Sequence, residues 1–558
     1  LYKGTSITGA NVMNRTDTIH LIQTILAEHT NFYDDCRGEL RKYRDAYESR
    51  FWDNNLYNDA MIRVETADCF SYVEGFIASL FSRQPAVVVA KDSASLTGDA
   101  QLSQALVNRF LFEKREQIEI ASRLALIYPS AFLKLSPTQS DDILEKVAIR
   151  ALPAWEVIVD HDASSWSEQR YCGHTYYLPL SEAKELYGNK KFSPIPKNDY
   201  FITNRPSHYD GKDYNLPDEY LYIQIVEFYD FAYDRLCIWS PNWKNGEELL
   251  VKEQIPLRTY DDKPMSPMCP LYYARKPEKP MIGLSAVSRV YDQFYEKNIL
   301  RTYWANAVRR DSRQYLYKEG TMDEEALAKI TAGIDGAMIP IDEPTLEGVI
   351  KQVGVEPIST NFDRYLAQIE QDINRGSILA PFSRGEATKA TATEITALAQ
   401  YSASEIGKLA RERDAAIENI SRTYLRIIAL LTEEGEIAAI EVEGLPKVIT
   451  PEALDAKFKI VALDQSSTPL SESIKRQNLI QLFPALVQLG VDPTKIKEEV
   501  VRLYDFPKSF LEAPPQMEAP AEPTGAPRGG TEAPVEDPSG ELPSAELARI
   551  LTDRGGRV

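Results

Sequence analysis

The longest helical pattern in the sequence begins near Thr391, continues to about residue 435 and contains no proline. Its apolar residues recur at helical spacing: Ile395, Leu398, Ile406, Leu409, Ile417, Ile420, Tyr424, Ile427, Ile428 and Leu431. A helix of about 40 residues is a rod of about 60 Å, at 1.5 Å per residue. Because a globular domain rarely needs a helix of that length, the sequence indicates that the chain takes part in an assembly.

The segment before this helix has the composition of a mobile loop. Pro381, Gly385 and several serines and threonines interrupt any helical pattern over residues 378–390. Thr391 or Thr393 can then cap the long helix, and Glu394 places a carboxylate at its positive end.

The first half of the chain predicts a mixed α+β fold in which helices predominate. Helical patterns cover residues 17–60, 64–81 and 102–126, and short alternating patterns between residues 131 and 239 are typical of an antiparallel sheet. Residues 264–280 are rich in proline, and we expect a hinge there.

A second long helix is predicted over residues 284–310. Its apolar face is expected to consist of Val287, Val290, Tyr291, Phe294, Ile299, Leu300, Tyr303 and Trp304. A small module of strands and one helix follows, and another helix at 361–374 returns to the loop, so the module should lie at the tip of a two-helix stalk. Arg309, Arg310 and Arg313 cluster where the outgoing helix ends, either as ordinary caps of a negative helix terminus or as a functional basic group.

After the long helix, the patterns predict strands at 438–442 and 458–462 that rejoin the earlier sheet. Two helices follow at 470–489 and 493–504. From residue 512 onward proline, alanine, glutamate and glycine dominate, so we expect a disordered tail.

The sequence contains no recognisable catalytic or metal-binding motif. It has no P-loop, no H-E-x-x-H and no G-x-S-x-G, and its five cysteines are scattered without a C-x-x-C pair. Asp160-His161-Asp162 has metal-ligand residue types, but a polar turn in which an aspartate caps a backbone amide explains it better. We therefore expect a protein that is not an enzyme and that binds neither metal nor cofactor.

The charge and hydropathy of the chain limit the classes of partner that it can bind. A net charge of −20 argues against tight wrapping of nucleic acid, but not against DNA that slides past a surface. The sequence has no apolar run of membrane-spanning length and no signal-peptide pattern in its first residues, so we expect a reducing cytoplasm and no membrane partner.

Four stretches resemble the portal, or head-to-tail connector, proteins of tailed double-stranded DNA bacteriophages: Val64-Glu-Thr-Ala-Asp68 with Val73-Glu-Gly-Phe-Ile-Ala-Ser-Leu-Phe81, Ala154-Trp-Glu-Val-Ile-Val-Asp160, Gly283-Leu-Ser-Ala-Val287 with Asp292, and Ala390-Thr-Ala-Thr-Glu-Ile395. The order of the elements over residues 16–510 resembles that family more strongly than any single stretch does. The acidic tail has no counterpart in the family pattern.

The resemblance implies a portal-type architecture assembled as a ring. The expected parts are N-terminal helices and a wing domain (1–283), a first stem helix (284–313), a clip (314–358), a second stem helix (359–377), a tunnel loop (378–390), a long helix (391–435), wing return strands (436–468), crown helices (469–511) and a disordered acidic tail (512–558).

The function implied is a ring, usually a dodecamer, at one capsid vertex of the virion. Double-stranded DNA would be packaged and ejected through its channel, and the chain would be made in the cytoplasm of the host bacterium. The partners implied are other copies of the chain, the terminase packaging motor, a head-to-tail adaptor and the major capsid protein. Ser383, Arg384, Thr388 and Lys389 would face DNA from the tunnel loop, and Arg309, Arg310 and Arg313 form a possible basic cluster of the channel.

Two other classes of protein remain open. A helical scaffold or adaptor of a virion would be monomeric or dimeric and would have no channel. A hydrolase would need a pocket that contains paired carboxylates with shifted pKa values.

Arg384→Ala combined with Lys389→Ala tests the tunnel loop. Exposed cations contribute little to stability, so ring assembly and Tm should stay near wild type. Because the ring repeats both cations around one aperture, packaging or retention of DNA should fall in an infection assay. If both cations merely pair with Glu386 or Glu394, the variant will produce normal DNA-filled heads, and broken rings would indicate a subunit contact instead.

Overall fold

A computed structural model of the chain describes residues 14–52, 62–82, 84–91, 99–140, 142, 145–187, 192–194, 221–243, 246–311, 315–317, 319–320, 323–325, 327–328, 350–352, 360–376, 392–432, 438–442, 445–454 and 457–462. The chain divides into two compact units, Leu1–Gln477 and Asn478–Val558, and all described residues belong to the first. Of the described residues 51% are helical and 22% lie in strands, so the fold mixes both elements and helices predominate.

The described α-helices are α1 (Arg15–Tyr47), α2 (Asp68–Leu80), α3 (Ala100–Glu113), α4 (Arg115–Ile127), α5 (Leu180–Tyr187), α6 (Tyr291–Asp311), α7 (Thr360–Gly376), α8 (Ala392–Leu431) and α9 (Pro451–Leu454). The described strands are β1 (Val87–Lys91), β2 (Ala131–Pro137), β3 (Val147–Pro153), β4 (Val157–Val159), β5 (Tyr171–Pro179), β6 (Tyr222–Asp230), β7 (Arg235–Trp239), β8 (Leu249–Glu253), β9 (Met268–Leu271), β10 (Tyr315–Tyr317), β11 (Ile350–Gln352), β12 (Ala438–Val442), β13 (Leu445–Ile449) and β14 (Phe458–Ala462).

Four of the predicted helices have different bounds in the structure, and the one predicted over residues 64–81 begins only at Asp68. The helix predicted over residues 17–60 ends at Tyr47. Ser49 then adopts a positive φ of 56°, a backbone conformation that a right-handed helix does not contain. The helix predicted over residues 102–126 is two helices that meet at Lys114. Arg115, the first residue of α4, donates to the carbonyl of Phe81 at 2.8 Å and so ties this break to the end of α2.

The central sheet is five-stranded and antiparallel, in the order β4-β5-β6-β7-β8. A second sheet has the order β3-β2-β9. The hinge predicted over residues 264–280 is wrong, because β9 pairs with β2 and its Met268, Cys269 and Leu271 are buried. Pro270 fits this strand because β9 is an edge strand, where a residue without an N–H can face away from the ladder.

Both strands after the long helix were predicted to pair with earlier strands, and β14 does so. β14 pairs antiparallel with β1, from Val87 opposite Ala462 to Lys91 opposite Phe458, as a separate two-stranded sheet. Within the described residues, β12 pairs with β13 in a hairpin and with no earlier strand; the sequence patterns did not reveal the second strand of this hairpin.

The second half of α8 runs through the main hydrophobic core. Ile406, Ile417, Ile420 and Ile428 are almost completely buried, and the ring of Tyr424 stacks on Phe110 of α3 with centroids 4.1 Å apart. α8 also packs against β2, β9 and β14. A 40-residue helix therefore lies where the sequence predicts one. The second half of this helix packs in the core of its own chain, so that half does not require a partner in an assembly.

Arg413 of α8 fastens this helix to α2. Its side chain is buried, donates to the carbonyl of Leu80 and pairs with Asp414 at 2.6 Å. Leu80 is the last residue of α2, so a cation lies at the negative end of that helix.

The segment Gly283–Ser288 closes the end of α4 and delays the start of α6. The hydroxyl of Ser285 donates to the carbonyl of Ile127 at 2.6 Å and accepts from the amide of Val287 at 3.1 Å. The helix predicted over residues 284–310 therefore begins only at Tyr291, after a 3₁₀ turn at Val287–Arg289.

Gly283 has no room for a side chain. A Cβ atom built on it would lie 1.5 Å from the carbonyl oxygen of Pro129, which is backbone and cannot turn away. A Cβ atom on Gly38 in α1 would meet nothing within 4 Å.

We therefore expect Gly283→Ala to lower the free energy of unfolding by about 3 kcal/mol or more, since backbone must shift to remove the overlap. Gly38→Ala is the matched control. It should raise the stability by about 0.5–1 kcal/mol, because alanine is the better helix former. Urea unfolding of both variants measures the difference, and two variants of equal stability would contradict the close approach.

Candidate assembly surface

The helices α6 and α7 form an antiparallel pair. Trp304 contacts Phe362 with ring centroids 6.1 Å apart, whereas Lys297, nearly two turns earlier in α6, pairs with Glu370 at 3.3 Å. Residues late in α6 therefore contact residues early in α7, and residues early in α6 contact residues late in α7, so the helices run in opposite directions. Between the two helices, β10 and β11 pair antiparallel, so the chain leaves the body on α6 and returns on α7.

Lys297 also joins this helix pair to the body of the protein. Its ammonium lies 3.1 Å from the carboxylate of Asp68 at the start of α2 and 3.3 Å from that of Glu370 on α7, and its side chain is only 13% exposed. One cation thus connects three helices in a partly desolvated position.

From Asn298 onward the inward face of α6 is polar. Asn298, Thr302 and Asn306 occupy successive turns of the helix and are 0%, 6% and 6% exposed. Buried polar side chains need hydrogen-bond partners, and these three find them in an extended part of the chain more than 200 residues away.

That partner is the strap, residues 62–66, which belongs to no helix or strand of the described chain. Thr302 accepts from the amide of Val64 at 2.9 Å, and Asn298 accepts from the amide of Thr66 at 2.8 Å. Asn306 both accepts from the amide of Ile62 and donates to its carbonyl, at 2.9 and 2.7 Å. Three side chains of α6 therefore supply the hydrogen bonds to the strap backbone that a neighbouring strand would supply in a sheet.

The large apolar side chains that α6 exposes lie outside the polar face that binds the strap. We define the outward surface as Tyr295, Tyr303, Trp304 and Val308 of α6 with Tyr365 of α7; their exposed fractions are 37%, 59%, 42%, 52% and 46%. The predicted apolar face is confirmed for Phe294, which is 1% exposed, but it is wrong for Tyr303, and Trp304 stays partly exposed although it contacts Phe362. From Asn298 onward the strap occupies the inward face with backbone hydrogen bonds, so the aromatic residues of this part of the helix remain outside.

The outward surface also has a fixed geometry. The hydroxyl of Tyr365 donates to Glu296 of α6, and the carboxylate raises the pKa of that tyrosine. Tyr291 and Tyr295 stack with centroids 6.3 Å apart. Aromatic side chains that are apolar and held in place are typical of protein interfaces.

The channel residues predicted from sequence cannot be compared with this surface. Ser383, Arg384, Thr388, Lys389 and Arg313 lie outside the described residues. Arg309 and Arg310 belong to the last turn of α6, but their side chains are also outside the described part.

The turn Asp160-His161-Asp162 has the structure expected of a polar turn. Asp160 accepts from the amide of Asp162 at 3.2 Å, and its carboxylate binds the guanidinium of Arg170 at 2.6 and 2.8 Å. The hydrogen bond from Arg170 lowers the pKa of Asp160. Within the described residues no group of three histidine, cysteine, aspartate or glutamate side chains could hold a metal ion.

A cleft of about 350 Å³ lies beside this turn. Asp162 and Glu278 contribute carboxylates to it, and His161 and Lys279 also line it. This is a place at which the hydrolase alternative can be tested.

Comparison with models of known protein families and with curated proteins finds no match to this chain. In the part of the chain that the structure describes, no helix combines the length and the apolar character needed to cross a bilayer.

Thr302→Val tests the strap contact. The substitution keeps the shape of the side chain but leaves the partly buried amide of Val64 without its acceptor, so the free energy of unfolding should fall by about 1–2 kcal/mol. Thr30→Val in α1 is the matched control, because that exposed threonine bonds only to the carbonyl of Leu26 in its own helix. Chemical unfolding of both variants gives the values, and equal effects would contradict the role of Thr302.

Proposed function

We propose that this chain is the subunit of a portal ring of a tailed double-stranded DNA bacteriophage. The ring would form the channel at one capsid vertex through which DNA is packaged and ejected. The observation that supports this proposal is the outward surface of α6 and α7, which exposes two tyrosines, a tryptophan and a valine on one helix and a further tyrosine on the other.

A ring gives this surface a partner in every subunit. Exposed aromatic patches on a rigid pair of helices mark interaction sites, and the burial of tyrosine and tryptophan supplies much of the binding free energy of interfaces. In a ring each subunit uses two different surfaces, so the outward surface of one copy would contact another face of the next. The helix pair with β10 and β11 between its members has the order that the family resemblance assigns to stem and clip.

The charge of the chain fits a channel for DNA. With 83 acidic and 63 basic residues, the subunit has a net charge of −20, and a ring multiplies that charge. A negative wall repels phosphates and keeps the duplex from adhering, so DNA can slide. The energy of packaging would come from a separate terminase motor, and a head-to-tail adaptor and the capsid protein would bind the ring from outside.

A virion scaffold or adaptor is the second candidate, because a dimer could also bury the outward surface. Such a dimer would have twice the subunit mass and no central hole. A hydrolase would instead be active without assembly, and Glu278→Gln in the cleft beside His161 would lower its activity.

The assembly test uses Tyr303→Ala combined with Trp304→Ala. We expect wild type to form rings with a central hole wide enough for duplex DNA, as seen by light scattering and negative-stain microscopy. Two buried aromatic anchors at an interface contribute about 2 kcal/mol each, so the double variant should lose about 4 kcal/mol and assemble on the order of 1,000-fold more weakly.

Tyr260→Ala is the matched control, because Tyr260 is 45% exposed in a turn and belongs to neither α6 nor α7. It should leave the rings intact. A wild-type protein that stays monomeric at micromolar concentration and physiological salt would argue against the proposal, and so would a double variant that assembles like wild type.

A further inference from the structure

Three of the five histidines in the chain surround one short segment, residues 155–161, which contains β4. His29 reaches it from α1, His174 faces it from β5 as the ladder partner of Val157, and His161 ends it. This segment lies where α1 meets the five-stranded sheet, so the histidines sit between two parts of the fold.

His29 is held as a neutral ring. Its Nε2 lies 2.9 Å from the carbonyl oxygen of Trp155, and because a carbonyl only accepts, Nε2 must carry the proton. Its Nδ1 is then a bare acceptor, enclosed by the protein and without a partner, and the residue is only 6% exposed. A second proton would place a charge and an unpaired N–H in this enclosed position.

His174 is also held neutral, but by a lysine. The ammonium of Lys134 donates to Nδ1 of His174 at 3.0 Å and to Glu227 at 2.7 Å, so Nδ1 is an acceptor and Nε2 carries the proton. Nε2 points toward Glu156 at 3.9 Å, beyond hydrogen-bonding distance. A proton on Nδ1 would set an imidazolium against the ammonium of Lys134 and remove their hydrogen bond.

The other groups that face His174 are tyrosines on the same sheet. Tyr176 stacks on it with ring centroids 4.7 Å apart and donates to Glu227 at 2.8 Å, and Tyr229 lies 3.4 Å from the same carboxylate. Glu227 is thus hydrogen bonded by Lys134 and the two tyrosines. Glu156 and the charge of Glu227 favour a protonated ring, but burial and Lys134 oppose it, and the pKa of His174 is lowered.

His161 has no hydrogen bond at either nitrogen, although both are enclosed. Its ring packs on Phe32 of α1 with centroids 4.9 Å apart, and the charge of Lys279 opposes a second proton. Asp160 and Asp162 favour that proton, but Arg170 already neutralises Asp160. Phe32 lies one turn after His29, so the two histidines share one contact area with α1.

We propose that His29, His161 and His174 form an acid-sensitive latch, in which neutral rings hold α1 and β5 against residues 155–161 and proton uptake at mildly acidic pH releases this segment. The proposal concerns a conformational device in the body of the subunit and does not depend on ring assembly.

The direction of the pH effect follows from linkage. Burial lowers the pKa of His29 from 6.5 to about 4, and burial also lowers the pKa values of His161 and His174. The released form therefore binds protons more tightly than the closed form. The latch holds fully above pH 6.5, weakens as the pH falls below that value, and has lost the contribution of His29 near pH 4.

Hydrogen exchange of the full-length protein tests this latch. His29 alone should lower the ratio of closed to released form about 20-fold between pH 7 and pH 5. Amide protection factors in residues 155–175 and in the first half of α1 should fall accordingly. Protection in residues 406–428 of α8 should not change, because the core helix contains no histidine.

The variant that removes the latch is His29→Gln with His161→Gln and His174→Asn, which keeps amide hydrogen-bonding groups that do not titrate. It should lose the pH dependence, whereas His20→Gln, an exposed histidine on the same helix, should keep it. The proposal is overturned if wild type keeps its protection at pH 5, if the triple variant shows the same loss, or if α8 loses protection equally.

A second measurement does not depend on the folding of any variant. The histidine ring signals of wild type can be titrated by NMR between pH 7 and pH 4. Three rings that protonate well below pH 6.5 together with a change in the signals of residues 155–161 support the latch, and titration at ordinary values overturns it.

Discussion

Buried backbone amides must be hydrogen bonded, and this requirement decides how α6 is oriented. The strap places the amide of Thr66 in the interior and the amides of Ile62 and Val64 in partly buried positions against α6, and no described strand lies beside them. The side chains of Asn298, Thr302 and Asn306 satisfy these groups from one face of α6. An apolar inward face would leave several buried groups unpaired, at a cost of about 1–3 kcal/mol each.

The exposed aromatics of α6 are a consequence of this arrangement. A helix has one inward face, and when polar residues occupy it, the large apolar residues of the same helix remain outside. The ion pairs of Lys297 with Asp68 and Glu370 prevent the helix from turning to bury them, because rotation would break contacts with both α2 and α7. The structure thus keeps an apolar surface in water, which a folded protein tolerates most readily where a partner covers it.

Sequence patterns correctly predicted the elements whose apolar residues recur at helical or strand spacing. The long helix α8 and the antiparallel strands between residues 131 and 239 are found where the spacing of apolar residues predicts them. The patterns failed where a contact with a distant part of the chain determines the local structure. Pro270 indicated a hinge, although the edge position of β9 removes the penalty of a missing N–H.

The candidate site shows the same limit of sequence-based prediction. The apolar residues of α6 could be recognised from their spacing, but spacing does not tell which face meets the protein. The polar residues Asn298, Thr302 and Asn306, at intervals of four, were the available signal. Their meaning depends on the strap, which lies more than 200 residues earlier in the chain, and that pairing is visible only in three dimensions.

α1 is fastened in its middle and near its C-terminal end by groups that protonate in different pH ranges, and this difference confines the effect of mild acid. Near the C-terminal end, Tyr47 donates to Glu74, which also pairs with Arg123 of α4 at 2.7 Å. The hydrogen bond from Arg123 lowers the pKa of Glu74, so this carboxylate stays charged at the mildly acidic pH at which the latch releases. The strap follows this end of α1 in the chain. Proton uptake around residues 155–161 can therefore loosen the contacts of His29 and Phe32 in the middle of the helix, while the contacts that orient α6 persist.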